Sequence, residues 1–251
     1  MKQLLALVAA FVISGCTALN EPQQQASSSG GYYVPPTELT DRPAADVARD
    51  AGRKPFEVLD YLGVEPGMTV LDVIAAGGYY TEALAHVVGT DGRVYAQNPA
   101  AVLRFFGTRN DRQLQSRMPR LPNVRRLDRE FDDLGLVPGS IDVAITALNF
   151  HDIYNNSPEQ AQGVLLAVKE VLKPGGVLGI IDHNSSAGAD HAKLHRMPVA
   201  DAIAAAEAAG FIVETSDLLA NADDDRTRPP FAEGLRGKTD RFVLKLTKPS
   251  S

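Results

Sequence analysis

The sequence predicts an α/β fold, in which a mostly parallel sheet of seven strands carries helices on both faces. Three observations point there. Short apolar runs rich in Val, Ile and Leu alternate with helical patterns from Thr69 onward. The first of these runs, Val70-Leu71-Asp72-Val73, passes through a small-residue turn straight into a helical pattern. Polar residues gather just beyond the fourth and fifth runs, where an open sheet of this class presents its ligand crevice.

Residues 1–15 read as a secretory signal: Lys2, an apolar run from Leu4 to Ile13, then Ser14-Gly15. The run is too short to span a bilayer stably. Cys16 follows and is the single cysteine, so no intramolecular disulfide is possible. Residues 16–35 include NEPQQQASSSGG, which has almost no apolar surface to bury and reads as a flexible tether. Residues 36–251 then amount to one domain. The formal charge is −6, and losing Lys2 with the signal makes it −7. A mildly acidic domain without a basic run argues against a nucleic-acid partner and leaves a small-molecule ligand.

Strands are expected near 69–74, 93–97, 124–127, 141–147, 177–182, 211–214 and 242–246. Helices fit 56–62, 81–88, 158–172 and 198–209. The third has Ser157 as N-cap, Pro158 in its first turn and Lys173-Pro174-Gly175-Gly176 as its stop. Pro198 opens the last helix and Gly210 closes it. A long excursion containing Asp223-Asp224-Asp225-Arg226-Thr227-Arg228 separates the last two strands. Loops of that length are often functional, and an arginine there could close over a carboxylate-bearing ligand. A solvated, salt-bridged loop is the alternative. Arg53-Lys54 poses the same choice, between approach to the pocket from its lid side and a solvated face.

The stretch Val70 to Tyr80 resembles the first motif of class I S-adenosylmethionine-dependent methyltransferases, Asp-x-Gly-x-Gly-x-Gly. Asp72 and Gly78 match, while Ile74 and Ala76 stand where two glycines belong. A β-branched residue is a poor occupant of positive φ, so Ile74 implies extended backbone or about 1–2 kcal/mol of strain. Val171-Leu172-Lys173-Pro174-Gly175-Gly176-Val177-Leu178 is similar to that family's segment leading into its fifth strand. Ala147 to Tyr154, Ile181-Asp182-His183, Leu194-His195-Arg196 and Arg236 to Arg241 resemble a branch of predicted bacterial methyltransferases. The resemblance runs from about Phe56 to Pro249. It implies a Rossmann-like class I methyltransferase fold with an antiparallel last strand, and S-adenosylmethionine as cofactor. Ile13-Ser14-Gly15-Cys16 resembles the bacterial lipoprotein cleavage box, which implies lipidation of Cys16 and a periplasmic protein touching the membrane through its lipid anchor only. Thr17, standing where inner-membrane retention uses Asp, favours the outer membrane.

The resemblance assigns cofactor binding to Asp72, Gly77, Gly78 and Tyr80. Asn98 stands at the acidic position that grips ribose hydroxyls, with a turn-forming Asn-Pro pair as the alternative reading. Glu130, or Asp128, is placed to meet an adenine amino group, with an ordinary surface carboxylate as the alternative. The cluster after the fourth strand supplies the catalytic candidates. His151 is a candidate general base, Asp152 orients it or acts itself, and Asn149 holds a substrate or cofactor group. His183, after the fifth strand, is expected to face His151 across one pocket. His191 and His195 are four apart, yet no metal-ligand set is assigned. Three functions compete: methyl transfer to an unknown small acceptor, ligand binding on a retired scaffold, and, behind both, metal-assisted hydrolysis.

Overall fold

The computed structural model of the protein describes residues 41–250. The expected signal, Cys16 and the tether lie outside the described residues. Two helices, α1 (Ala44–Arg53) and α2 (Pro55–Leu62), precede the sheet. The strands are β1 (Thr69–Val73), β2 (Arg93–Gln97), β3 (Val124–Leu127), β4 (Ile141–Ala147), β5 (Leu172–His183), β6 (Ile212–Ser216) and β7 (Arg241–Thr247). Between them run α3 (Tyr79–Val88), α4 (Ala100–Arg117), α5 (Phe150–Asn156), α6 (Pro158–Val171), α7 (His191–Leu194) and α8 (Val199–Ala208).

The seven strands form one sheet in the order β3-β2-β1-β4-β5-β7-β6. All pairs are parallel except those of β7, which runs antiparallel to both β5 and β6. This is the expected seven-stranded, mostly parallel sheet. The order reverses between β1 and β4, so the crevice for a ligand opens above their carboxyl ends.

Period-two alternation sends neighbouring residues to opposite faces. Val70, Val143, Ile145 and Val177 pack with α2 and α3 on one side. Leu71, Ala144, Leu178 and Ile180 pack with α6 and α8 on the other. With both faces covered, these strands read as continuous apolar runs. Gly179 of β5 is glycine because α2 lies close: a Cβ there would run into Leu62. Helix α6 starts as its sequence predicts, with Ser157 Oγ accepting from the Gln160 N–H at 3.2 Å and Pro158 in the first turn.

The structure departs from expectation in four places. Helices α1 and α4 were not foreseen, because both are polar along most of their length; Leu114 is the fully buried anchor of α4. The cluster after β4 is itself a short helix, α5, and not an extended loop. Strand β5 begins at Leu172, so Lys173-Pro174-Gly175-Gly176 does not simply stop α6. There the Gly175 N–H donates to the Lys248 carbonyl (3.0 Å) and the Lys248 N–H to Gly176 (2.9 Å). Among the described residues, no helix is long and apolar enough to cross a membrane.

Candidate active site

The turn from β1 into α3 takes a left-handed course through residues that are not glycine. Ile74 has φ 55° and Ala76 φ 49°, followed by Gly78 at 85°. The turn keeps the glycine-type backbone while Ile74 and Ala76 carry the strain. Two side chains at the end of β2 hold it there. The Ile74 N–H donates to Gln97 Oε1 (3.0 Å) and the Ala76 N–H to Asn98 Oδ1 (2.8 Å), while Asn98 Nδ2 donates back to the Ala76 carbonyl (3.3 Å). The Ala75 and Gly78 amides are satisfied by the backbone of Gln97 and Ala75. Both amide side chains are fully buried.

This corrects the expected role of Asn98. Its amide is spent on the turn on both sides, and it does not line the cavity above. Glu130 is also engaged elsewhere: its Oε1 accepts from the Ala100 N–H at 2.9 Å, at the start of α4. Asp128 pairs with Arg126 at 2.8 Å.

A cavity of about 310 Å³ lies over the turn. Its walls include Asp72, Gly77 and Tyr80 from the expected set, together with Asn149. Gly78 adjoins it as the left-handed N-cap of α3. Asp72 is buried and accepts from Thr81 Oγ1 at 2.6 Å, and burial pushes its pKa up to about 7. Asn149 donates to the carbonyls of Ala147 (2.8 Å) and Ile74 (3.2 Å), tying the exit of β4 to the turn. The outer wall comes from α1 and α4. Arg117 donates to the Gly77 carbonyl (2.7 Å), pairs with Asp46 (2.6 Å) and also binds Glu82.

Next to it, a larger groove of about 1130 Å³ runs between α1 and the 217–240 loop. The two spaces share Arg49, Arg53 and Leu148 as a common wall. Leu148 is again left-handed, at φ 64°. The base of the loop is pinned by a fully buried ion pair, Arg196 with Asp224 at 2.9 Å. Arg196 also donates to the carbonyls of Asn184 (3.0 Å) and Arg228 (2.9 Å). Arg226 pairs with Asp240 at 2.8 Å, so the salt-bridged reading of this arginine holds.

His183 lines the groove, with Nδ1 2.9 Å from Thr239 Oγ1. His151 lies behind it, their rings 6.0 Å apart, so the structure brings the two histidines together. His151, however, lines neither space. It is buried, with Nδ1 2.6 Å from Asp182 Oδ1, while its backbone N–H donates to Asp182 Oδ2 at 2.8 Å. Its Nε2 sits 3.1 Å from Asp152 Oδ1 in poor hydrogen-bond alignment, and Asp152 also reaches His195 Nδ1 at 2.9 Å. Burial opposes charge on His151, but the Asp182 and Asp152 carboxylates outweigh it and raise the pKa to about 10. His151 is therefore an imidazolium at neutral pH. That corrects its expected role as a free general base. His183 goes the other way: burial, then His151 and the nearby arginines, hold its pKa well below the usual value, so it is neutral. Asp152 and His195, with His151, lie within metal-ligand reach of one another. His191 instead contacts Ser185 at 2.9 Å.

Sequence reasoning missed Arg117 and Gln113, because α4 carries no apolar stripe to announce it, and Arg241, which opens β7. Arg53 was weighed as a lid-side residue and does line both spaces.

Comparison with known proteins fits this geometry. No family model matches the chain. An uncharacterized methyltransferase of Synechocystis sp. is 29% identical over 128 residues, 49% of this chain and 51% of that protein, so the match spans about half of its length. A SAM-dependent methyltransferase from Aquifex aeolicus superposes with TM-score 0.58 at 22% identity, covering 79% of this chain and 97% of that one. The [4+2]-cyclase SpnF superposes with TM-score 0.60 at 16% identity, covering 80% and 82%. The fold is that of the SAM-dependent methyltransferases, and it also houses a cyclase.

Two measurements follow from the turn and from His151. Ala76→Gly should raise stability by about 0.5–1 kcal/mol, since relief of about 1–2 kcal/mol of left-handed strain exceeds the added chain entropy. Ile74→Gly should lower stability, because losing a buried isoleucine costs about 1.5–3 kcal/mol; denaturant midpoints of the two variants should move in opposite directions.

The folded pKa of His151 lies above its unfolded value of 6.5, so its stabilisation is complete below pH 6.5 and is lost as pH rises toward 10. The stability gap between wild type and His151→Gln should therefore shrink steadily from pH 6.5 to 10. A constant gap would refute the assignment.

Proposed function

We propose that this protein is an S-adenosylmethionine-dependent methyltransferase acting on a small molecule, with the cofactor over the β1–α3 turn and the acceptor in the adjoining groove. The carrying observation is that two spaces of different character meet at Leu148 and Arg53, one of them at the reversal point of the sheet. The smaller space suits a nucleoside-sized ligand in volume. Its polar lining also suits the cofactor's two ends, arginines for a carboxylate and Asp72 for a cationic centre. The grip is reduced, however, because Asn98 and Glu130 are spent on the protein itself.

When bound over the turn by Asp72, Gly77 and the cavity arginines, S-adenosylmethionine would supply a methyl group carried on a positively charged sulfur. The chain's own residues orient the partners and manage the proton. Asn149 keeps its side-chain Oδ1 without a protein partner among the described residues, at the boundary of the cavity. His183, neutral and on the groove wall, takes the acceptor's proton, in place of the charged His151. Burial, with the His151 imidazolium behind it, keeps His183 neutral.

The full chain should bind S-adenosylmethionine in calorimetry, and Asp72→Asn should weaken it about tenfold, the worth of a charge-assisted contact. With radiolabelled methyl donor and a small-molecule extract, His183→Ala should cut label transfer about 10²-fold or more while leaving cofactor binding intact. Absence of cofactor binding by the wild type would turn the reading to a non-methylating, ligand-binding protein on this scaffold.

The chain is also a lipoprotein, cleaved before Cys16 and tethered in the periplasm to the outer membrane. The supporting pattern is Ile13-Ser14-Gly15-Cys16 with a polar tether behind it. Radioactive fatty acid should label the wild type and spare Cys16→Ala; equal labelling of the two would overturn this.

A further inference from the structure

The groove beside the cavity is cationic, in a protein whose formal charge is −6. Arg49, Arg53, Arg228, Arg236, Lys238 and Arg241 line it, against the single acidic side chain of Asp223. Arg49 pairs with Asp46, which it shares with Arg117. Among the described residues, no carboxylate lies within ion-pair distance of Arg53, Arg236, Lys238 or Arg241. That absence is unusual for the inner two. Arg241 is buried, and Arg53 is half-buried against the Tyr79 ring, 4.6 Å away. Elsewhere in this protein the buried guanidiniums, those of Arg42, Arg117 and Arg196, all face a carboxylate.

We propose that this groove is the binding site for an organic anion with an apolar body, its acid group held between Arg53 and Arg241. The word acceptor for that ligand rests on the methyl-transfer reading; the anion site does not. Arg241 is already oriented, since Nε donates to the Thr239 carbonyl at 3.3 Å and Nη2 donates to the Gly52 carbonyl. A fork fixed in this way loses little freedom on meeting a carboxylate. Burial lowers the pKa of both arginines, and Arg49 and Arg241 lower that of Arg53 further, which is the situation an incoming anion relieves. The apolar part has a surface to meet as well. Leu148, Leu235 and Phe231 lie in the same groove, and Phe231 is 60% exposed. Neutral His183 adjoins both, being paired in register with Arg241 across β5 and β7.

The test compares 1-naphthoate with 1-naphthamide, equal in shape and different in charge, by calorimetry on the full chain. Naphthoate should bind at least about tenfold more tightly, a difference of about 1.4 kcal/mol. Arg241→Gln should remove most of that preference and leave naphthamide unchanged. Should Arg241→Gln fail to fold, the exposed pair Arg236→Gln/Lys238→Gln carries the test, and it should weaken naphthoate severalfold. Equal binding of the two probes, binding of neither, or naphthoate affinity untouched in the variant that folds would overturn the proposal. S-adenosylmethionine binding on the same samples separates the two claims. Cofactor binding without naphthoate binding sinks the anion site alone, and the reverse sinks the methyl-transfer reading alone.

Discussion

Two buried amides at the end of β2 set the geometry on which the rest of the site depends. Gln97 and Asn98 take up the N–H groups of Ile74 and Ala76 and so hold a left-handed turn that those residues would not adopt unaided. Each hydrogen bond is worth about 1 kcal/mol net, comparable to the strain per residue, so the pair offsets what the turn costs. The direction in which α3 leaves the sheet, the placing of Asp72 against Thr81 and the floor of the cavity all follow from that turn. It also explains why residues of the wrong shape can occupy a glycine turn: the restraint comes from the neighbouring strand.

A second theme is how charge is distributed around the crevice. Carboxylates are drawn inward to fixed partners, as Asp182 is to His151, Asp224 to Arg196, and Asp46 and Glu82 to Arg117. With most acids committed, cations outnumber carboxylates on the walls facing open space, where Asp72 and Asp223 are the acidic side chains among the lining residues. The acidity of the whole protein is therefore a poor guide to its crevice. Position decides here, because burial and proximity outweigh net charge at distances of a few ångströms.

The sheet was legible because its strands are buried on both faces and spell continuous apolar runs; Val70 to Val73 and Ile141 to Ala147 read without ambiguity. Its capping helices were not. In α1 and α4 many of the contacts are made by arginines and acids, which at the level of pattern look like any solvated surface, although Leu114 is fully buried. Asp72, Gly77, Tyr80 and Asn149 share one cavity wall, as their places at or just beyond strand ends suggest. Asn98 and Glu130 were misread because a side chain's position in a motif does not say which way its hydrogen bonds run. The choice between His151 and His183 could not be read at all. Both are histidines at strand ends, and their opposite protonation comes from the Asp182 and Asp152 carboxylates on one and from burial, then neighbouring cations, on the other, surroundings made only in the folded chain.

Arg117 has a consequence for where this protein begins, in the sense of its smallest useful piece. One guanidinium joins the Gly77 carbonyl, Glu82 in α3 and Asp46 in α1, so the helix that precedes the sheet is bolted to the turn that opens it. A fragment cut just before Thr69 would retain every strand but lose α2, whose Phe56, Val58, Leu59 and Leu62 are buried against the sheet. It would lack Arg49 and Arg53, two of the three residues that divide the spaces, and would leave Arg117 with two of its three partners. The two helices ahead of the sheet therefore belong to the folding unit of this chain as well as to its working unit.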